Sequence, residues 1–316
     1  MLNAENSTSA EKMKSTRGPA VWLLLFGALM LAITLPLRIW QQMYIVEAGT
    51  GFWAVQGHVT VILLYIALGV LAALPFAGGI ALRNQLTLDL RRDFRPAEGI
   101  AALLAALAVA AGAATALHFA FLIFTGRLVP DDIRPQVDQM MQYYIRTGAM
   151  AALLEALFGA GAALFFANLA LADFRPAKTQ VRRLLALMPV LWTVSRILRR
   201  FSRTISFLRV SDLFLTLAAL VLLMIFFLAF AQLLGGINDA GKEWRLAAAG
   251  IPAAVLLVLC YLPRLIAYVF MNGVPSRDAV MELADPAIAL FICVFLYGRL
   301  LYGTKQAAVA VEPAGG

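Results

Sequence analysis

A carboxylate lies inside one of the most apolar stretches of the chain: Glu155, in AALLEALFGAGAALFF. A charge in hydrocarbon has to be paired, protonated or close to water, so such a residue is a candidate for function. His118 and Arg264 sit in two other apolar stretches and are its candidate partners. The three together read either as a proton or ligand site or as a polar clamp between helices. A second group, Arg196, Arg199, Arg200 and Arg203, crowds the later half of LLALMPVLWTVSRILRRFSRTISFLRV at 184–210. Guanidinium forks suit phosphate and carboxylate. Beside a bilayer the anion at hand is a lipid headgroup, so anionic lipid at the cytoplasmic face is the expected contact.

Other chemistry is missing from the sequence. There is no HExxH, no GxSxG, no GxGxxG after a strand and no acidic cluster with metal-ligand spacing. The run GINDAGK at 236–242 fits the Gly-x4-Gly-Lys half of a phosphate loop. Glu243 follows where Ser or Thr is required, and the context is a loop between apolar runs rather than strand to helix, so it reads as a turn. No metal and no cofactor is expected. Cys260 and Cys293 both fall in apolar runs and read as small hydrophobes.

The elements that must position these residues are membrane helices. Apolar residues make up 62% of the 316 and charged residues only 14%, against about a half and a quarter in a soluble domain. Runs such as 99–117 and 213–234 carry no charge, and about 20 helical residues cross the hydrocarbon core. The chain therefore reads as an all-α, polytopic transmembrane helical bundle. The net charge of +8 belongs to cytoplasmic loops by the positive-inside rule, not to nucleic-acid binding, since no basic soluble domain is present.

Spans are expected at about 19–40, 59–82, 96–124, 147–172, 211–234, 244–271 and 286–302. Residues 1–18 read as a polar cytoplasmic tail, 19–303 as a single transmembrane domain and 304–316 as a disordered tail. The stretch at 184–210 decides the count. It either lies in the cytoplasmic interface as a cationic amphipathic helix, giving seven spans, or crosses with its arginines facing the bundle, giving eight. Counting loop charges favours seven modestly. Pairing favours eight, because only then do Glu155 and Arg264 share the outer half. Eight is the reading adopted.

The exit of the first span carries a pattern: Arg38, Gln41 and Tyr44, then Thr50, Gly51, Phe52 and Trp53. It resembles a group of uncharacterised bacterial multi-pass membrane proteins with an Arg-x-x-Gln helix exit followed by Thr-Gly-Phe-aromatic. LMPVLW at 187–192, followed by Arg196, is similar to a second landmark of that group, from which the later arginines depart. The resemblance implies a multi-pass protein of the bacterial plasma membrane and no particular activity. Physically, Arg38 and Trp40 suit an interface anchor, a snorkelling cation beside an aromatic belt residue.

Three functions fit. The first is a non-enzymatic accessory, scaffold or sensor subunit with a membrane-protein partner. The second is a small-solute or ion-coupled transporter with a polar site around Glu155, for which Pro75, Gly78, Gly79 and Pro263 supply broken helices. The third and weakest is a membrane enzyme on a lipid-linked substrate, using His118 or Glu155 as base. The pentapeptide DFRPA occurs at 93–97 and again at 173–177. Two expected spans lie between the copies, so both belong on one side, and each reads as a membrane-boundary marker.

Overall fold

The computed structural model describes residues 2–46, 58–81, 83, 96–127, 140–174, 184–202, 210–234, 244–271 and 282–309. Among these the chain is a helical bundle: α1 (Leu2–Tyr44), α2 (Val59–Ala81), α3 (Pro96–Phe124), α4 (Met140–Arg146), α5 (Ala149–Phe174), α6 (Met188–Ser202), α7 (Val210–Leu234), α8 (Trp244–Met271) and α9 (Ala284–Val309). A 3-10 turn, Leu185–Leu187, leads into α6. Among the described residues, six helices are long and apolar enough to cross a membrane: Val21–Tyr44 of α1, α2, α3, Ala149–Leu171 of α5, Leu213–Leu234 of α7 and Trp244–Ala267 of α8. The protein is an integral, multi-pass membrane protein on this ground. Helix α9 continues to Val309, into the stretch expected as a disordered tail, and 310–316 lie outside the described residues.

Successive long helices run in opposite directions. Gln41 near the end of α1 touches the start of α2, while Gly78 near the end of α2 lies against Trp22 and Leu23 early in α1. Gly79 of α2 meets Trp244, the first residue of α8. Phe124 at the end of α3 packs on Tyr144, just before α5. The start of α3 is joined to the late part of α9 through Glu98 and Arg299. Helices α1, α3 and α8 begin at one end of the bundle, the near end, and run toward the opposite, far end. Pro96, from the first DFRPA copy, opens α3 at the near end, where its missing N–H costs no hydrogen bond. Asp173 and Phe174, from the second copy, close α5 there too.

The tightest pair is α3 with α5, and the sequence says why. Ala102, Ala106, Val109, Ala113, Ala116 and Ala120 alternate at steps of four and three along the buried face of α3. Ala149, Ala152, Ala156, Gly159, Ala163 and Phe166 do the same on α5. This is a heptad seam made of small residues, the arrangement that lets membrane helices approach closely where apolar burial gives no net drive. The helices are close at Gly159, where a Cβ would meet Ala113 at 3.0 Å and Trp192 at 3.1 Å.

The hub is α8, buried over most of its length and touching α1, α2, α7 and α9. Its small face, Ala247, Ala248, Ala249, Ala253 and Ala254, leaves room for neighbours on several sides. Around it the middle of the bundle is aromatic. Phe230 stands edge-on to Phe165, Phe291 and Phe295, with ring centroids 5.0–6.2 Å apart.

A far-end arginine and carboxylate network

The polar face of α6 points inward. Pro189, Trp192, Thr193, Ser195 and Arg196 are buried, while Leu191, Leu198 and Phe201 are exposed. In water an amphipathic helix does the opposite. A bilayer inverts the preference, because lipid satisfies no polar group and the bundle interior does. The hydroxyls are satisfied within the helix: Thr193 donates to the Pro189 carbonyl at 2.6 Å and Ser195 to the Trp192 carbonyl at 2.7 Å.

Arg196 is the centre of the site. Its Nη1 donates to Asp285 Oδ1 at 2.7 Å and its Nη2 to Glu282 Oε2 at 2.5 Å. Its guanidinium also lies 5.0 Å from the Trp192 ring centroid. Arg200, one turn further on, donates to the other oxygen of Glu282. Arg199 takes a different direction: its Nη1 donates to Glu155 Oε2 at 2.9 Å, and it sits over the Phe119 ring. The carboxylates come from two places. Glu155 lies two turns into α5, and Asp285 is in the first turn of α9, where the helix dipole favours an anion. Because α5 begins, α6 ends and α9 begins at one end of the bundle, the whole network is gathered at the far end.

Burial alone would raise the Glu282 carboxyl above the ordinary range. The charges of Arg200 and Arg196, a hydrogen bond with Asp285 and the field of Arg264 outweigh it and hold the group well below that range. A folded-state pKa depressed in this way adds stability that is present above the unfolded value and is lost as pH falls through the folded one. The contribution of Glu282 is therefore expected to be complete above about pH 5 and to decline only in stronger acid. Thermal unfolding of the detergent-solubilised protein from pH 3 to 7 measures it. Glu282→Gln is expected to show a lower, flatter profile over the part of that range where the wild type falls.

A second ionic contact lies at the near end. Arg299 of α9 donates from Nη2 to Glu98 Oε2 of α3 at 3.0 Å, and both side chains are 3% exposed. Gly298 makes the room, since a Cβ there would collide with the Glu98 carboxylate.

The α1 exit behaves differently from an interface anchor. Arg38 is 2% exposed rather than snorkelling, and its Nη1 reaches Gln41 Oε1 at 3.3 Å. Gln41 is buried and donates through Nε2 to the Thr60 carbonyl at 2.8 Å, so it ties α1 to the first turn of α2. The reason is position: Leu23, Gly27, Met30, Thr34, Arg38 and Gln41 form one inward stripe, and Arg38 lies on it. Trp40 does fit the aromatic belt, half exposed and flanked by Tyr44 and His58. Tyr44 is exposed. His58 caps α2, with Nδ1 within 2.8 Å of Thr60 Oγ1. Thr50, Gly51, Phe52 and Arg203 lie outside the described residues.

Of the expected trio, Glu155 is buried, but its partner is Arg199. His118 is exposed on α3, off the inward face that carries Ala113, Ala116 and Ala120, so it does not pair with Glu155. Arg264 belongs to the far-end group through its field on Glu282. The expected lipid contact does not hold for Arg196, which is enclosed and doubly bound to carboxylates. Arg199 and Arg200 are each 21% exposed and also engage carboxylates. Glu98, Glu282, Asp285 and Arg299 did not stand out in the sequence. The available signal was Arg299, a cation late in an otherwise apolar helix.

No protein-family model, no curated protein and no solved structure matches the chain.

Proposed function

We propose that the protein is a non-enzymatic accessory, scaffold or sensor subunit of the bacterial plasma membrane. On this reading it crosses eight times, with the near end cytoplasmic, and α6 and α9 complete the set begun by the six long apolar helices. The alternating helix directions support the count, and the basic residues around both DFRPA copies support the orientation. At 15 residues α6 is only about 22 Å long, so it needs the preceding 3-10 turn and its arginines to reach both interfaces.

The observation that carries the functional reading is pairing. Each buried carboxylate among the described residues, Glu98, Glu155 and Asp285, engages an arginine of a different helix. Charges joined in this way hold neighbouring helices together. They are not left poised for a substrate, and the exposed His118 is withdrawn from any acid–base role with Glu155.

One observation favours transport instead: three carboxylates and four arginines, from α5, α6, α8, the start of α9 and Glu282 just before it, gather at one end. Purified protein in liposomes loaded with a pH-sensitive dye separates the two. As a clamp, Glu155→Gln lowers the melting temperature, the exchanged pair Glu155→Arg with Arg199→Glu restores part of it, and proton flux stays at the level of empty liposomes throughout. A proton flux present in wild type and abolished by Glu155→Gln would assign the site to transport.

A further inference from the structure

We propose that α6 is a voltage-responsive helix, whose arginines exchange carboxylate partners at the far end when it slides by one turn along its axis. This rests on the reading that α6 crosses the membrane and deepens its sensor branch. The central observation is Glu282, whose two oxygens are divided between Arg196 and Arg200, four residues apart on one helix. A carboxylate shared by successive turns can pass from one arginine to the next and stay paired throughout, while Arg196 leaves both carboxylates and Arg199 leaves Glu155. After a shift of one turn toward the near end, Arg200 takes the place of Arg196 between Glu282 and Asp285.

The packing of α6 is compatible with such a shift. Its outer face, Leu191, Leu198 and Phe201, is exposed and apolar, so it meets lipid equally well at either height. Its inner face rests on two notches of α5: Trp192 at Gly159 and Met188 at Gly161. Met188 and Trp192 are one helical turn apart, so the shift brings Trp192 to the notch that Met188 occupies. Against α9 the ties are side-chain ion pairs of the kind that can exchange.

The driving force is electrical. Three guanidinium groups lie on one helix, and a charge that crosses the full field changes an equilibrium about fifty-fold per 100 mV, or about sevenfold across half of it. With the near end cytoplasmic, an interior-negative potential draws the arginines toward that end. The arrangement described here is then the outward one.

The test uses a reporter at the last residue of α6, Ser202→Cys, in the full chain with Cys260→Ala and Cys293→Ala. Right-side-out vesicles are treated with a membrane-impermeant maleimide while valinomycin and potassium gradients set the potential. At zero potential the reporter is expected to react from outside. At about 100 mV interior-negative its rate is expected to fall about sevenfold or more, with no comparable change at the opposite sign. Arg200→Lys keeps that dependence, whereas Arg200→Gln makes it shallower. Phe201→Cys serves as a second reporter. Labelling only from the inside at zero potential overturns the eight-crossing reading itself. Labelling from outside at a rate indifferent to either sign of potential overturns the voltage inference alone.

Discussion

Arg196→Ala is expected to lower the unfolding free energy by about 3–5 kcal/mol, more than alanine at either neighbouring arginine. Arg196 is 4% exposed and is the cation that bridges Glu282 and Asp285. Removing it leaves Asp285, itself enclosed, without the guanidinium at 2.7 Å that balances its charge. It also removes the cation stacked on Trp192. Arg199→Ala is expected to cost less, because Arg199 is partly exposed and binds one carboxylate. Arg196→Lys should fall between the two. An ammonium keeps the charge but cannot present a planar fork to two carboxylates at once. Thermal unfolding in detergent orders the three variants, and equal losses for Arg196→Ala and Arg199→Ala would remove Arg196 from the centre of the network.

The architecture was legible because it rests on local patterns. Helix α3 runs over 96–124 and α8 over 244–271, as the apolar runs alone indicated, and α2 and α7 agree within a residue at each end. Those boundaries follow from long apolar stretches bracketed by charge, a signal contained in each segment. Partners are not contained in a segment. Arg299 and Glu98 are 201 positions apart, and Arg196 and Asp285 are 89 apart. The sequence marks Glu155 as a carboxylate among apolar residues, but it supplies only depth as a guide to the partner. Depth fixes only one coordinate. His118 has a comparable height on the neighbouring helix but lies on its exposed side, because the alanine seam turns the opposite side of α3 toward α5. The same lesson holds for Arg38, whose place beside Trp40 suggested an anchor. Helical phase, set by Thr34 and Gln41 on the same stripe, turned it inward. For 184–210 the sequence supplied both alternatives, and the burial of Arg196 opposite exposed Leu191 and Leu198 favours arginines facing the bundle.

At the near end, Glu98→Gln is expected to cost about 3 kcal/mol, because it takes a carboxylate from a contact in which both side chains are 97% enclosed. The design of the site predicts how that loss can be recovered. Glu98 enters a space that exists only because residue 298 is glycine, whereas Arg299 spreads over the face of Phe295. The two positions therefore differ in volume as well as in charge. Exchanging them, Glu98→Arg with Arg299→Glu, restores the attraction but forces the larger guanidinium toward Gly298, so only part of the stability should return. Removing both charges, Glu98→Gln with Arg299→Met, strands no ion and asks less of the space, and it should recover more than the exchange does. A double-mutant cycle on thermal unfolding gives the coupling directly. A coupling of about 1 kcal/mol or more identifies the pair as the tie between α3 and α9, while a value near zero would assign the cohesion of that end to the apolar packing of the two helices instead.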